Sequence, residues 1–300
     1  AASDVYKRQL WVFKVDGEAV GTIGVEREYL SHRRTRREVY KLMDILVRED
    51  YMLTGLGVWL TLRLRQFFEN TYCIGSTKYS HSIVTRLNKS LTTLQTWRYP
   101  IRLQHFRGRT FGLKALNALL RVRDLFKRRD LPKGYTLDIS DAPDPATDEL
   151  YETMTELVLM PKRSLDKYGW RFGKHPYLEA RFFKLKSGGQ LVAQAAVTPE
   201  PGRRANVYDM LFRYDGDMAT SARQLSTLLP SVVNTLAKEG VDVVSTQVND
   251  PTSAAALSKA GFIYRNEPNP VGYFFQDPDL DNLMQQGVPF FLMPVDADYD

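Results

Sequence analysis

The chain has 300 residues, 43% hydrophobic and 25% charged, with a net charge of +6; this describes a globular chain long enough for two domains of ordinary size. No apolar run approaches the roughly 18 residues needed to span a bilayer, so no membrane span is expected. The single cysteine, Cys73, excludes an intramolecular disulfide and suits a reducing cytoplasm. The charge is uneven: residues 1–130 hold 25 Lys/Arg against 12 Asp/Glu, whereas residues 131–300 hold 16 against 23. The basic half is therefore the one expected to meet an anion.

The first nine residues, AASDVYKRQ, are what one reading frame of a widely used transposase sequencing adaptor encodes. They are expected to be a scar, outside the fold and downstream of the true start of the first domain. From Leu10, LWVFKVDGEAVGTIGVEREY alternates and turns at Asp16-Gly17, which predicts a β-hairpin. The basic run Ser31 to Arg37 reads as a solvated loop. A strand from Val39 to Val47 follows, then a glycine turn, YMLTGLG (51–57), and a helix from about Gly55 to Phe68. Leu56, Trp59, Leu60, Leu64, Phe67 and Phe68 share one face of that helix. A short strand around Tyr72 to Gly75 and a helix near His81 to Leu87 come next. Cys73 sits in the apolar stretch Tyr72-Cys73-Ile74, where a buried small hydrophobe is the expected role.

Residues 111–129, FGLKALNALLRVRDLFKRR, form an amphipathic basic helix. A connecting helix packed on both domains is the plainer reading, with a membrane-surface or RNA contact as the alternative. Asp141 to Asp148 has loop chemistry. The second half then repeats the order of the first: a strand (205–212), a helix from Ala219 to Lys238 ended by Gly240, a strand (241–248), and an Asn249-Asp250-Pro251 start to a helix that Gly261-Phe262 closes. Locally Asp44-Ile-Leu-Val-Arg48 matches Asp209-Met-Leu-Phe-Arg213, so the chain reads as two copies of one α/β unit. The end is expected to be a strand, Pro289 to Val295, and a solvated acidic tail, Asp296-x-Asp298-x-Asp300. That tail looks like the start of a calcium loop but lacks its Gly and Glu. His32, His81, His105 and His175 are scattered without metal-ligand spacing, and no metal is expected.

The ordered set of motifs resembles the GNAT-superfamily N-acetyltransferases in tandem arrangement. Met52-Leu-Thr-Gly55-Leu-Gly57 lies where that family's acetyl-CoA motif follows its fourth strand. Asn249 through Ala254-Ala-Ala-Leu257 to Gly261-Phe262 resembles its final helix, and LDKYGWRF (165–172) with Pro176-Tyr177 resembles the region before the central strands in two-domain members. The resemblance implies an α/β (α+β type) fold of two domains, each a mixed central β-sheet flanked by helices. It divides the chain into a first domain (10–110), a linker helix (111–133) and a second domain (134–300). It also implies a bacterial, cytoplasmic acyltransferase that moves an acetyl or other acyl group from acyl-CoA to an amine acceptor, either a small molecule or a peptide, with no DNA partner. The cofactor contacts would be Leu46, Val47, Met52, Leu53, Thr54, Gly55, Leu56 and Gly57, with Leu46 and Val47 as backbone donors to the thioester. Asp44 is the best-placed base, against a structural role shared with Asp209, and Tyr79 is a nearby acid; Leu257, at the usual tyrosine position of the second copy, cannot serve. The alternatives are a transferase using aminoacyl-tRNA, as in peptidoglycan synthesis, and a non-catalytic scaffold.

Elementary physics favours the first turn over the second. A helix N-terminus leaves backbone N–H groups unpaired and adds partial positive charge, and glycines let the backbone approach phosphates. The equivalent turn of the second copy, RYDGDMAT (213–220), carries Asp215 and Asp217. These can cap the helix themselves, and at about 4 Å from a phosphate they would cost roughly 4 kcal/mol at an effective dielectric near 20. The second copy is therefore expected to brace the fold or close the acceptor site. Met52 removes a helper side chain at the first turn, and Leu53 stands where many members of the family have glycine.

Overall fold

The structure, a computed structural model, describes residues 8–75, 81–103, 110–127, 131–173 and 179–297. The first half runs β1 (Arg8–Val15), β2 (Glu18–His32), β3 (Thr35–Val47), a 3₁₀ turn (Glu49–Tyr51), α1 (Leu56–Leu64), β4 (Asn70–Ile74), α2 (His81–Leu87) and β5 (Ser90–Pro100). Helix α3 (Thr110–Lys127) connects it to β6 (Tyr135–Ser140), α4 (Thr147–Thr155), β7 (Met160–Pro161), α5 (Leu165–Tyr168) and a π turn (Gly169–Gly173). Then come β8 (Arg181–Ser187), β9 (Gln190–Glu200), β10 (Arg204–Phe212), α6 (Met218–Lys238), β11 (Val243–Val248), α7 (Pro251–Ala260), β12 (Ile263–Phe275), α8 (Pro278–Gln285) and a 3₁₀ turn (Pro294–Asp296).

Asp16 and Gly17 both adopt positive φ, 51° and 83°, the geometry a two-residue turn needs to match strand twist. Strand β1 already pairs at Arg8 and Gln9, opposite Glu26 and Val25, so the last two of the nine adaptor-like residues lie in the sheet; the first seven fall outside the described residues. The basic run after Ser31 is not a solvated loop. Ser31 and His32 are buried, and only Arg33 and Arg34 turn, with φ of 46° and 61°, while His32 pairs with Thr35. Arginine rarely takes that conformation, which is why the run does not read as a hairpin. Arg33 N–H donates to the Thr155 carbonyl at 2.7 Å, fixing the turn against α4. Arg33→Asn with Arg34→Gly is expected to stabilise the protein by about 1–2 kcal/mol, because both new residues accept positive φ. A urea midpoint unchanged or lowered would show that the turn is not strained.

One mixed sheet runs through the molecule in the order β1-β2-β3-β4-β12-β5-β11-β10-β9-β8-β6, with β7 added beside β2. Each half has a parallel pair, β3 with β4 and β10 with β11. Each half also lends its last strand to the other. Strand β12 pairs antiparallel with β4 on one side and β5 on the other, and β5 pairs antiparallel with β11. Reading β3-β4-β12-β5-β11-β10 from either end gives the same pattern, which is the pseudo-symmetry expected of two copies.

Helix α1 covers β2 and β3 through Leu60 and Leu64, both fully buried, each contributing roughly 1.5–3 kcal/mol. The helix packs close because Gly21 offers no side chain: a Cβ there would stand 3.0 Å from Leu60 Cδ1. Trp59 and Phe67, expected on the buried face, are instead 54% and 53% exposed. α1 ends at Leu64, and just beyond it Arg65 and Phe68 turn inward while Phe67 does not. Trp59 and Phe67 lean on Phe13 and Trp11 of the edge strand, at 5.9 and 5.2 Å between ring centres.

The tail departs most from expectation. Pro289 to Val295 forms no strand beyond a single bridge, Leu159 to Phe290. It is an irregular, mostly buried segment: Phe290 packs on Tyr72 and Tyr273, and Pro294–Asp296 lies against β10 and β11; Asp296 is fully buried rather than solvated, and Asp298 and Asp300 fall outside the described residues. Asp296 holds Arg163 through Oδ1 (2.7 Å) and Oδ2, and Arg163 Nε stands 2.6 Å from Asp209 Oδ2. Lys167 of α5 reaches Glu28 at 3.2 Å, Tyr168 donates to Asp209 at 2.7 Å, and Lys41 Nζ donates to the Asp296 carbonyl at 3.2 Å. This polar core joins β2, β3, β10 and the C-terminal segment.

The charge asymmetry is answered in part between the halves. Arg36 meets Glu152 at 2.9 Å, Arg37 meets Asp277 at 3.2 Å, and Arg98 meets Glu267 at 2.6 Å. Such partly exposed pairs add at most about 1 kcal/mol each, and they fix orientation more than stability.

Glu28 makes the polar core pH-sensitive. Burial opposes its ionisation, but Lys167, Lys41 and the Tyr72 hydroxyl outweigh burial and hold its pKa at about 2, against 4.5 for an ordinary glutamate. A depressed carboxylate contributes stability above its unfolded pKa and loses it as pH falls from about 4.5 toward 2. Glu28→Gln is therefore expected to cost on the order of 3 kcal/mol at pH 7 and progressively less below pH 4. Paired urea melts across that range check this; a pH-independent difference would exclude it.

Candidate functional site

Sequence and fold converge on the end of β3 and the start of α1. Strand β3 pairs with β4 only from Tyr40 to Leu42. Beyond that, Gly24 pairs with Met43 and Thr22 with Leu46, so Asp44 and Ile45 bulge opposite the single residue Ile23. Asp44 forms the bulge in a left-handed conformation, φ 49°, which aspartate tolerates better than most residues. The ladder to β4 ends just before it, at Leu42 and Cys73. Arg48 N–H bonds Val20 O at 2.9 Å, so by antiparallel alternation Leu46 N–H faces β2 and Val47 N–H faces away from it, toward the β4 side. Asp44 is exposed, unlike Asp209, so the two do not share one structural role.

After the 3₁₀ turn, Met52 N–H donates to Glu49 O at 3.1 Å and Thr54 N–H to Tyr51 O at 3.4 Å. Those two residues shape the turn with their own donors. Leu53 is fully exposed and left-handed, φ 67°; it takes the conformation a glycine would, and its side chain points away from the fold. Gly55, with φ 85°, is the left-handed residue from which α1 starts, and no side chain caps the helix. Trp59 N–H bonds Gly55 O; the N–H groups of Gly55, Leu56, Gly57 and Val58 make no hydrogen bond among the described residues. Unbonded donors at a helix start are what binding an anion there would require. The nearby charges are balanced locally, since Arg48 is held by Asp50 at 2.7 Å and Glu18 at 2.8 Å. An anion at this turn would therefore meet backbone donors rather than an unpaired Arg48.

The second copy has the same plan with its donors already taken. Strand β10 also bulges, at Tyr208 between Val207 and Asp209, and parts from β11 after Asn206. There Asp217 caps α6, accepting from Ala219 N–H at 2.9 Å and Thr220 N–H at 3.1 Å. The C-terminal segment lies against β10 and β11, held by Asn249, which accepts from Leu292 N–H at 2.9 Å.

The other candidates separate. Tyr79, His105, His175 and Pro176-Tyr177 lie outside the described residues. Burial pushes the Cys73 thiol up to about 11, which suits a packing role. His32 is buried, and burial pulls its pKa below the ordinary value. Leu257 is fully buried in α7. Tyr168 and Phe172 of the aromatic stretch pack on Phe182 at 5.7 Å. A cavity of about 780 Å³, lined by Thr96 and Arg98 from one half and Asn206, Tyr208, Gln247 and Asn269 from the other, lies on strands away from the α1 turn. No helix among the described residues is long and apolar enough to cross a membrane.

A bulged strand that splays from its parallel neighbour and feeds a glycine turn at a helix start, present twice in one sheet, defines the GNAT fold in tandem. Solved structures agree. The chain superposes on a GCN5-related N-acetyltransferase from Anabaena variabilis with a TM-score of 0.56 at 11% identity, covering 87% of this chain and 62% of that one. It superposes on a tandem GNAT protein from the clavulanic acid biosynthesis pathway with a TM-score of 0.55 at 13% identity, covering 91% and 83%. For Saccharomyces cerevisiae N-myristoyltransferase with bound myristoyl-CoA the TM-score is 0.53 at 10% identity, covering 86% and 67%. The chain thus spans about three-fifths of the length of the Anabaena protein. No family model and no curated protein matches the sequence.

Proposed function

We propose that the first half binds an acyl-CoA at the α1 turn and that the protein transfers the acyl group to an amine. The observation that carries this is the contrast between the two helix starts: α1 begins uncapped at Gly55, whereas α6 begins with its donors held by Asp217. In this reading the N–H groups of Gly55, Leu56, Gly57 and Val58 hold the pyrophosphate. The pantetheine arm lies between β3 and β4 beyond Leu42 and Cys73, and Val47 N–H polarises the thioester carbonyl. Met52, Leu53 and Thr54 set the course of the loop, and Leu46 flanks the arm. The amine nitrogen attacks the thioester carbon, the C–S bond breaks, the amine gives up a proton to Asp44 or a water it holds, and the thiolate takes one. Tyr79 keeps its sequence-derived role as the candidate acid.

The fold neighbours support the donor class, since one was solved with myristoyl-CoA and another is described in its acetyl-CoA-free form. The test is thermal stability with acetyl-CoA and myristoyl-CoA. A ligand at about 100 times its dissociation constant adds about 2.7 kcal/mol. A shift with either, followed by turnover on a panel of small amines and peptides, supports the reading. No shift with any acyl-CoA would overturn it, and binding without turnover would favour a scaffold.

A further inference from the structure

Helix α3 turns an apolar face outward. Leu119, Val122 and Phe126 are 65%, 52% and 65% exposed, and with the exposed Ala115 and Ala118 they fall within an arc of roughly 100° on the helix. The other side is tied down. Asn117 exchanges two hydrogen bonds with the backbone of Leu103, at 2.9 and 3.0 Å. Tyr99 donates to Asp124 at 2.6 Å, and Arg123 donates to the Pro100 carbonyl at 2.6 Å. Leu120 is buried. These bonds fix the helix so that its apolar arc faces away from the sheet.

Cations border that arc. Lys114 and Arg121, both exposed, line with Arg102 a cavity of about 470 Å³ bounded by Ile101, Asn117 and Ala237. No carboxylate is among its described lining residues. In sequence, residues 102–129 hold nine Lys/Arg against one carboxylate, Asp124. Among the described residues, Arg102, Lys114 and Arg121 have no ion pair within 4 Å of a carboxylate. An apolar arc flanked by cations suits a helix lying in a lipid interface, with the arc at the acyl boundary and the cations at phosphate level. An RNA-binding face would carry its cations at the centre of the outward arc, where this helix has Leu119, Val122 and Phe126.

We propose that α3 seats the protein on an anionic lipid bilayer, with Leu119, Val122 and Phe126 in the acyl boundary and an anionic headgroup phosphate in the cavity of Arg102, Lys114 and Arg121. The surface is independent of the acyl-transfer site. The test is co-sedimentation of the full chain with vesicles of phosphatidylcholine alone and with 30% phosphatidylglycerol, at about 0.1 M salt. Partition is expected to be at least tenfold higher on the anionic vesicles and to fall as salt rises. Lys114→Gln and Arg121→Gln should each lower it about fivefold, and Leu119→Ala with Phe126→Ala at least tenfold. All four positions are exposed, so melting curves should not change. Equal partition on both vesicle types, no partition on either, wild-type partition by the Leu119→Ala/Phe126→Ala variant, or retention of a single-stranded RNA without vesicle binding would each overturn the proposal.

Discussion

Gly55→Asp is expected to abolish stabilisation by acyl-CoA while leaving the free protein within about 1 kcal/mol of wild type. Gly55 starts α1 with φ 85°, a conformation aspartate adopts at modest cost. The new carboxylate would lie beside the first N–H groups of α1, at the N-cap position that Asp217 holds at α6. It would fill the anion site from within the chain and repel a pyrophosphate, at roughly 4 kcal/mol for charges about 4 Å apart. The expected result is loss of the whole shift of about 2.7 kcal/mol that wild type shows at 100 times its dissociation constant. The converse control is Asp217→Ala, which should cost about 0.5–2 kcal/mol as a lost cap and leave the acyl-CoA shift intact. Equal shifts for wild type and Gly55→Asp would remove the α1 turn from the binding site.

Asp296→Asn is expected to be the most destabilising single change, by about 3–5 kcal/mol, which is a large share of the 5–15 kcal/mol typical of a folded domain. The reason is Arg163, a fully buried guanidinium lying between Asp296 and Asp209. Burial raises the Asp209 carboxyl above the usual range, and Arg163 opposes that rise. With Asp296 neutral, Arg163 keeps only a partner that burial pushes toward its neutral form. Arg163→Met combined with Asp296→Leu should recover much of the loss, because an apolar pair of similar volume leaves no orphaned charge. Chemical denaturation of the three variants checks both statements. An Asp296→Asn cost below about 1 kcal/mol would mean that the core tolerates the unpaired arginine by admitting water.

What the sequence disclosed follows the range of the interactions. Asp16-Gly17, the helix over 111–129, and Pro251 to Gly261 are local signals, and each lies where it was expected, as β1–β2, α3 and α7. Strand β5 escaped notice because its partners are residues 243–248 and 263–273, more than 140 positions away. Asp296 reads as a tail residue because its arginine lies 133 positions upstream. The Arg33-Arg34 turn carries none of the usual turn residues. At the candidate site the glycines, the strand and the helix start were legible. The bulge at Asp44 and the left-handed Leu53 were not, since both depend on how β3 is held against β2.

The exchange of β5 and β12 also bears on how the protein can fold. Neither half completes its sheet from its own strands: without β12, β4 loses its antiparallel neighbour, and without β5, so does β11. A chain cut within the 128–130 connection should therefore yield two aggregation-prone pieces with open edges, which regain order only when mixed. Such long-range pairing makes folding slow and all-or-none. Neither copy can therefore unfold, turn over or be lost without the other.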